Sequence, residues 1–286
     1  MPMPLYILKL LMLGGLGVVI GGVGTMVGLG GGFALIPLLI YVFPLKDADR
    51  SAAAATSLAA VFLNAASGTF SYARQKRIDY FAGVVMAIPA IPAAVLGAWV
   101  IKALGGRHEA FDITFAVVAV VMAVILVIGR TLFKRAERAA AGRGQKRHFL
   151  VYDRKKMLPN GESAHYQFNV RAGMLIGLVG GFLAGFLGIG GGIVHMPLLI
   201  LVMGFPAHIA AATSHFILLL TTSSATVFNL QAGKVDLDYA VPIGAGMVIG
   251  ANIGARIAKS ATGWVIRVVL ALILFFVAIQ MIRSVF

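Results

Sequence analysis

Two runs of glycine, each followed at a fixed distance by proline, are the residues whose type and spacing could do chemistry. Gly30-Gly31-Gly32 precedes Pro37, and Gly190-Gly191-Gly192 precedes Pro197. Glycine inside a helix costs about 1 kcal/mol relative to alanine, so three in a row within apolar sequence mark a break. The helix that starts after a break presents unpaired N–H groups and the positive end of its dipole, an arrangement suited to an anion. The competing use of such glycines is close helix packing through small residues. Thr56-Ser57 and Thr213-Ser214 lie downstream. Their hydroxyls can donate to an anion's oxygens without bringing a fixed charge, although in helices they often bond back to the i−4 carbonyl. Asn64, Ser67 and Thr69, with Ser224, Thr226 and Asn229, share the same segments and read mainly as packing glue.

His195 and His215 stand only in the second half of the chain, where the first half has Leu35 and Leu58. An ionisable group inside a membrane is costly and usually functional, and histidine takes up a proton near neutral pH. Both are therefore candidates for coupling proton movement to a cargo, the bland alternative being a neutral, hydrogen-bonded ring. No acidic residue lies mid-span, which disfavours a carboxylate pathway for cations and favours an anionic cargo. The chain has no cysteine, so disulfides and thiolate chemistry are excluded. No cofactor is called for. A membrane-embedded enzyme would need a nucleophile or metal cluster; His195, Met196, Met203, His208 and His215 are the nearest approach to a soft-metal set.

One helix terminus contributes about 0.3–1 kcal/mol, about 2 when partly buried. A charge at the bilayer centre costs about 2.5–3.5 kcal/mol even on the most lenient scale. A single terminus therefore cannot hold an ion there. Two opposed termini with hydroxyl and backbone donors could.

The elements that would supply two such termini are visible as an internal repeat. Gly28-Leu-Gly-Gly-Gly-Phe-Ala-Leu-Ile-Pro-Leu-Leu-Ile40 returns 160 residues later as Gly188-Ile-Gly-Gly-Gly-Ile-Val-His-Met-Pro-Leu-Leu-Ile200. Ala55-Thr56-Ser57 returns as Ala212-Thr213-Ser214, and Gly97-Ala98 as Gly254-Ala255, at an offset of 157. The 286 residues are 60% hydrophobic and 12% charged, against about 45–50% and about 25% in soluble domains, so lipid is the solvent for most of the chain. Apolar segments near 5–27, 32–44, 51–72, 80–103 and 111–131 have counterparts near 171–187, 192–204, 207–230, 238–259 and 264–283. The second of each set is short for a crossing of about 30 Å. The division is a first repeat at 1–131, a basic loop at 132–170 and a second repeat at 171–286.

The net charge of +14 is carried at segment ends and in that loop, a placement that orients a membrane protein rather than one that binds nucleic acid. Positive-inside bias puts the loop in the cytoplasm, with Arg74, Lys76, Arg77, Arg256 and Lys259 on its side. Lys234, Asp236 and Asp238 fall outside. The expected fold is all-α and polytopic, with two inverted-topology repeats of about five transmembrane helices each, broken at the Gly-rich turns. Eight spans with two re-entrant hairpins is the rival. The beginning of the chain has no basic n-region and no small-residue cleavage site, so the first helix reads as retained.

The duplicated Gly-x-Gly-Gly-Gly-x-x-x-x-Pro-Leu-Leu-Ile, each copy followed by Ala-Thr-Ser, resembles the TauE/SafE sulfite exporter family over nearly the whole chain outside the basic loop. The resemblance implies a bacterial or archaeal inner-membrane transporter, commonly an exporter, of sulfite, organosulfonates or related sulfur anions. It also implies a place along the pathway for Gly28, Gly30, Gly31, Gly32, Pro37, Thr56 and Ser57, and for Gly188, Gly190, Gly191, Gly192, Pro197, Thr213 and Ser214. His195 is not part of the shared pattern, and the basic loop is longer than a minimal member needs. An anion channel of the same architecture is the alternative function.

Overall fold

The computed structural model describes residues 3–43, 50–104, 111–118, 150–157 and 163–261, with isolated positions between 120 and 124 and between 268 and 279. Most of the expected fifth and tenth segments, and of the basic loop before residue 150, lies outside the described residues.

The described chain is overwhelmingly helical. Helix α1 (Met3–Val27) ends at the first glycine break, and α2 (Gly32–Pro37) runs on through a π-helical turn, Leu38–Val42. Then come α3 (Arg50–Arg74), α4 (Tyr80–Ala103) and α5, described over 111–118. Past the loop come strands β1 (Val151–Met157) and β2 (Ser163–Asn169), then α6 (Val170–Leu187), α7 (Gly192–Met203), α8 (Ala207–Gln231) and α9 (Leu237–Ser260). Six of these, α1, α3, α4, α6, α8 and α9, are long and apolar enough to cross a membrane. The twelve residues of α7 reach only about 18 Å at 1.5 Å per residue, so α7 does not cross alone. In the π turn Phe43 N donates to Leu38 O, five residues back; the equivalent Pro197 lies inside α7, which stays α-helical.

The long helices pair by glycine-mediated close approach. On α6, Gly177, Gly181 and Gly185 lie four apart and meet the backbone of α4 at Met86, Ala90 and Ala94. On α9, Gly246, Gly250 and Gly254 meet Gly14, Val18 and Gly22 of α1 in the same way. A Cβ at any of these positions would strike a carbonyl of the neighbour. Without a hydrophobic drive between helices in lipid, this small-residue seam brings the backbones together. By the repeat offsets α1 corresponds to α6 and α4 to α9, so the two seams are equivalent.

Helices α3 and α8, also equivalent, lie between these pairs and run in opposite directions. The loop after α3 touches the first turn of α8, where Arg77 meets His208. The loop after α8 touches the start of α3, where Asp236 meets Thr56.

The sequence reading treats 132–170 as a charged loop, yet its end is an antiparallel hairpin, Val151 pairing with Asn169 and Met157 with Ser163. Strand β2 passes directly into α6, whose N-cap Asn169 accepts from Ala172 N at 3.2 Å. The signal was present in β2: Tyr166 and Phe168 are buried while His165 and Gln167 are exposed, the period-two alternation of a strand.

Candidate functional site

The two glycine bends have the same backbone. Gly28, Gly30 and Gly31 have φ of 80°, 77° and 90°, and Gly188, Gly190 and Gly191 have 74°, 78° and 81°. Only glycine visits this region routinely. Gly32 and Gly192 open α2 and α7 with ordinary φ, and here close approach decides. A Cβ on Gly32 would lie 2.7 Å from Ile189 Cα, and one on Gly192 2.7 Å from Leu29 Cα. The bends therefore sit against each other at the middle of the molecule, all eight glycines buried. Gly191 O takes the first intrahelical bonds of α7, from Val194 N and His195 N, as Gly31 O does from Ala34 N and Leu35 N in α2.

The hydroxyls bridge the halves reciprocally. Ser57 Oγ donates to Gly188 O at 2.8 Å, and Ser214 Oγ donates to Gly28 O at 2.9 Å. Thr56 Oγ1 accepts from Asp236 N at 3.0 Å, and Thr213 Oγ1 accepts from Asp79 N at 3.0 Å. Each serine secures the opposite bend, and each threonine holds the loop that caps a span of the other half: Asp79 caps α4 through Ala82 N, and Asp236 caps the start of α9 through Asp238 N. None of the four hydroxyls follows the i−4 pattern that competes in helices. Thr221 and Thr222 do, bonding to Ile217 O and Leu218 O.

The two histidines lie apart. His215 joins a buried network in which its Nε2 contacts Thr25 Oγ1 (3.1 Å) and Asn64 Oδ1 (3.2 Å). Asn64 Nδ2 donates to Gly21 O and Met247 O, and Tyr72 OH donates to Thr25 O at 2.6 Å. The equivalent positions for Thr25, Asn64 and His215 hold Gly185, Thr221 and Leu58, so this network exists in one half only. His195 is 0% exposed. The Gly177 carbonyl lies beside its ring, but neither ring nitrogen has a partner in hydrogen-bond geometry. Its ring fills the space over Gly180, whose equivalent is Ile20, and it also touches Gly191.

One polar cluster escaped the sequence reading. Asp79, 0% exposed, accepts from Arg154 Nε (3.0 Å) and Nη2 (2.8 Å), from Tyr166 OH (2.8 Å) and from Ala82 N (3.2 Å). Burial pushes its carboxyl up, but the bonds from Arg154, Tyr166 and Ala82 outweigh that and hold it below the usual carboxylate range. Lys156 Nζ donates to Ile78 O next door. The hairpin is thereby fastened to the α3–α4 loop, while Tyr166 and Phe168 pack on Phe205 between α7 and α8. The spacing of Arg154 and Tyr166 from Asp79 carries no local pattern, so only the folded chain brings them together.

Among the described residues, no three His, Cys, Asp or Glu side chains gather as a metal site. His195, His208 and His215 occupy three separate surroundings.

Among the described residues, six span-length helices and two short helices that start at the central bends make a multi-pass membrane protein, and its relatives make it a membrane transporter. The chain belongs to the sulfite exporter TauE/SafE family, whose model matches residues 13–281. It is 28% identical over 271 residues to the probable membrane transporter protein YunE of Bacillus subtilis (strain 168), covering 93% of this chain and 95% of that one. It is 24% identical over 282 residues to the probable membrane transporter protein MJ0441 of Methanocaldococcus jannaschii, covering 94% and 93%. With the probable membrane transporter protein YjnA of Bacillus subtilis the figures are 25% over 252 residues, 85% and 87%. No solved structure matches the chain.

Proposed function

We propose that the protein is a secondary transporter that exports a small sulfur-containing anion, such as sulfite or an organosulfonate, by alternating access. The observation that carries this reading is the reciprocal pair of bonds from Ser57 to Gly188 O and from Ser214 to Gly28 O. Each ties one half to the bend of the other, so parting the halves frees both hydroxyls and exposes the first turn of α7, the donors an oxyanion needs. The close fit of the two bends favours a carrier that opens over a standing pore. The sulfur cargo comes from the family description.

On this reading Gly30–Gly32, Thr56 and Ser57 with Gly190–Gly192, Thr213 and Ser214 line the pathway, and His195 and His215 are the candidates for proton coupling. The repeats at 1–131 and 171–286 are related by inversion, as in other transporters with paired broken helices, and the antiparallel course of α3 and α8 supports this. The basic loop faces the cytoplasm of a bacterial or archaeal cell. The chain performs no chemistry on its cargo.

The test is flux in proteoliposomes under an imposed proton gradient, with sulfite, thiosulfate, sulfoacetate, taurine and sulfate offered in turn. At least one should accumulate uphill. Downhill-only flux would convert the reading to a channel, and movement of a cation with none of the five anions would end it.

A further inference from the structure

The α3–α4 loop carries a buried cation whose charge no described residue answers with its own. Arg77 is 2% exposed. Among the described residues the ion pairs join Arg50 to Asp112 and Arg154 to Asp79, and Arg77 is in neither. The nearby carboxylate, Asp79, is occupied by Arg154 and Tyr166. What Arg77 has is neutral. Nη1 donates to Gln75 Oε1 at 2.9 Å and Nη2 to His208 Nδ1 at 2.8 Å. Two long contacts from Nη2 reach His208 O (3.4 Å) and Ala258 O (3.5 Å), and the Tyr72 ring lies 5.2 Å from the guanidinium. Nε is buried with no partner among the described residues.

The negative end of α9, at Ala258, answers part of this charge, but a helix terminus acts weakly compared with the cost of dehydrating an ion. Arginine stays protonated when buried, so the imbalance cannot be relieved by losing a proton. A guanidinium with one unpartnered donor and no counter-ion among the described residues, in a carrier read as moving anions, is a receptor for the missing charge. The equivalent residue in the other half is Lys234, again two positions before the capping aspartate. A cation therefore stands at each end of the bundle.

We propose that Arg77 is an anion-binding residue at the hairpin-covered end of the pathway, its Nε–Nη2 edge taking two oxygens of a sulfite, sulfonate or comparable oxyanion. The anion replaces the two long carbonyl contacts of Nη2, and the neutral His208 ring keeps that group oriented. The proposal rests on the transport reading above only for the sulfur chemistry; the unanswered charge asks for an oxyanion of any kind.

The experiment measures binding of sulfite, thiosulfate, sulfate, nitrate and phosphate to purified full-length protein at constant ionic strength, by calorimetry and by anion-dependent shift of the melting temperature. Arg77→Gln should fold, with a melting temperature in anion-free buffer no lower than wild type, and should bind the preferred anion about tenfold or more weakly. Arg74→Gln, which removes an exposed charge from the same end of the molecule, should bind as wild type does. Unchanged binding in Arg77→Gln, or equal weakening in Arg74→Gln, overturns the proposal. Should Arg77→Gln fail to fold, Arg77→Lys decides, because it keeps the charge without the fork: weakened binding supports the site, and unchanged binding overturns it. Arg77-dependent binding of nitrate or phosphate with no sulfur anion bound would discard the sulfur cargo and leave this site standing. Transport of a sulfur anion unaffected by Arg77→Gln would discard the site alone.

Discussion

His195 with Gly180 stands where the first half has Leu35 with Ile20, so the imidazole occupies room that the smaller partner vacates. Two substitutions that compensate in volume conserve the packing and change only the polarity, which leaves a ring without hydrogen bonds in the bundle interior. Burying such a group costs stability. Replacing it by its own repeat counterpart, His195→Leu, should therefore leave the melting temperature unchanged or higher, since swaps of similar volume usually cost less than about 1.5 kcal/mol. If the ring couples protons, the same variant should keep cargo binding and lose the proton flux seen with a trapped pH dye; retained proton flux removes His195 from that role. The serines predict the reverse. Ser57→Ala and Ser214→Ala each leave a buried carbonyl of the opposite bend unpaired, at a cost of about 1–3 kcal/mol. Because the two bonds are equivalent, denaturant midpoints should fall by similar amounts, and a loss confined to one variant would show that the bends are not interchangeable.

The hairpin has no counterpart across the repeat among the described residues, and it closes one end of the bundle through Asp79. The folded carboxyl titrates below its ordinary range. A depressed carboxylate lends stability that is present above the unfolded pKa, about 3.9, and is lost as pH falls through the folded value. Hydrogen exchange of the amides in β1 and β2 should consequently stay slow from neutral pH down to about 4 and accelerate only below it; acceleration between pH 5 and 7 would point to another group. The two partners are unequal, because the Arg154 side chain keeps 35% of its surface in contact with solvent while Asp79 keeps none. Arg154→Gln strands a buried negative charge, whereas Asp79→Asn keeps the cap and lets Arg154 rehydrate. Arg154→Gln should thus release the hairpin more than Asp79→Asn does, with the double variant resembling Asp79→Asn. The reverse ranking would place the attachment in the aromatic contacts with Phe205.

At the scale of the whole molecule, the spans were legible because apolar length and repeated glycine motifs are local properties. The 80–103 and 192–204 segments match α4 and α7 to within a residue. The partners of Ser57 and Thr56 were not legible, since each lies 131 or 180 residues away and is set by how the halves fit. The same held for Arg77, which read as an orientation signal until the fold buried it, and for Asp79, which nothing in the local sequence singled out. What the halves do to one another also decides topology. If α3 and α8 cross the bilayer antiparallel, the loop after α3 and the loop after α8 must face opposite compartments, and the hairpin must share the side of the former. The absence of cysteine makes single-cysteine labelling direct. Lys76→Cys and Lys155→Cys, both at exposed positions, should be protected from an impermeant maleimide in intact cells and react once the membrane is opened. Asp238→Cys, equally exposed, should react in intact cells. Labelling of Asp238→Cys only after permeabilisation, together with the other two, would put all three loops on one face, and the inverted relation of the halves could not stand.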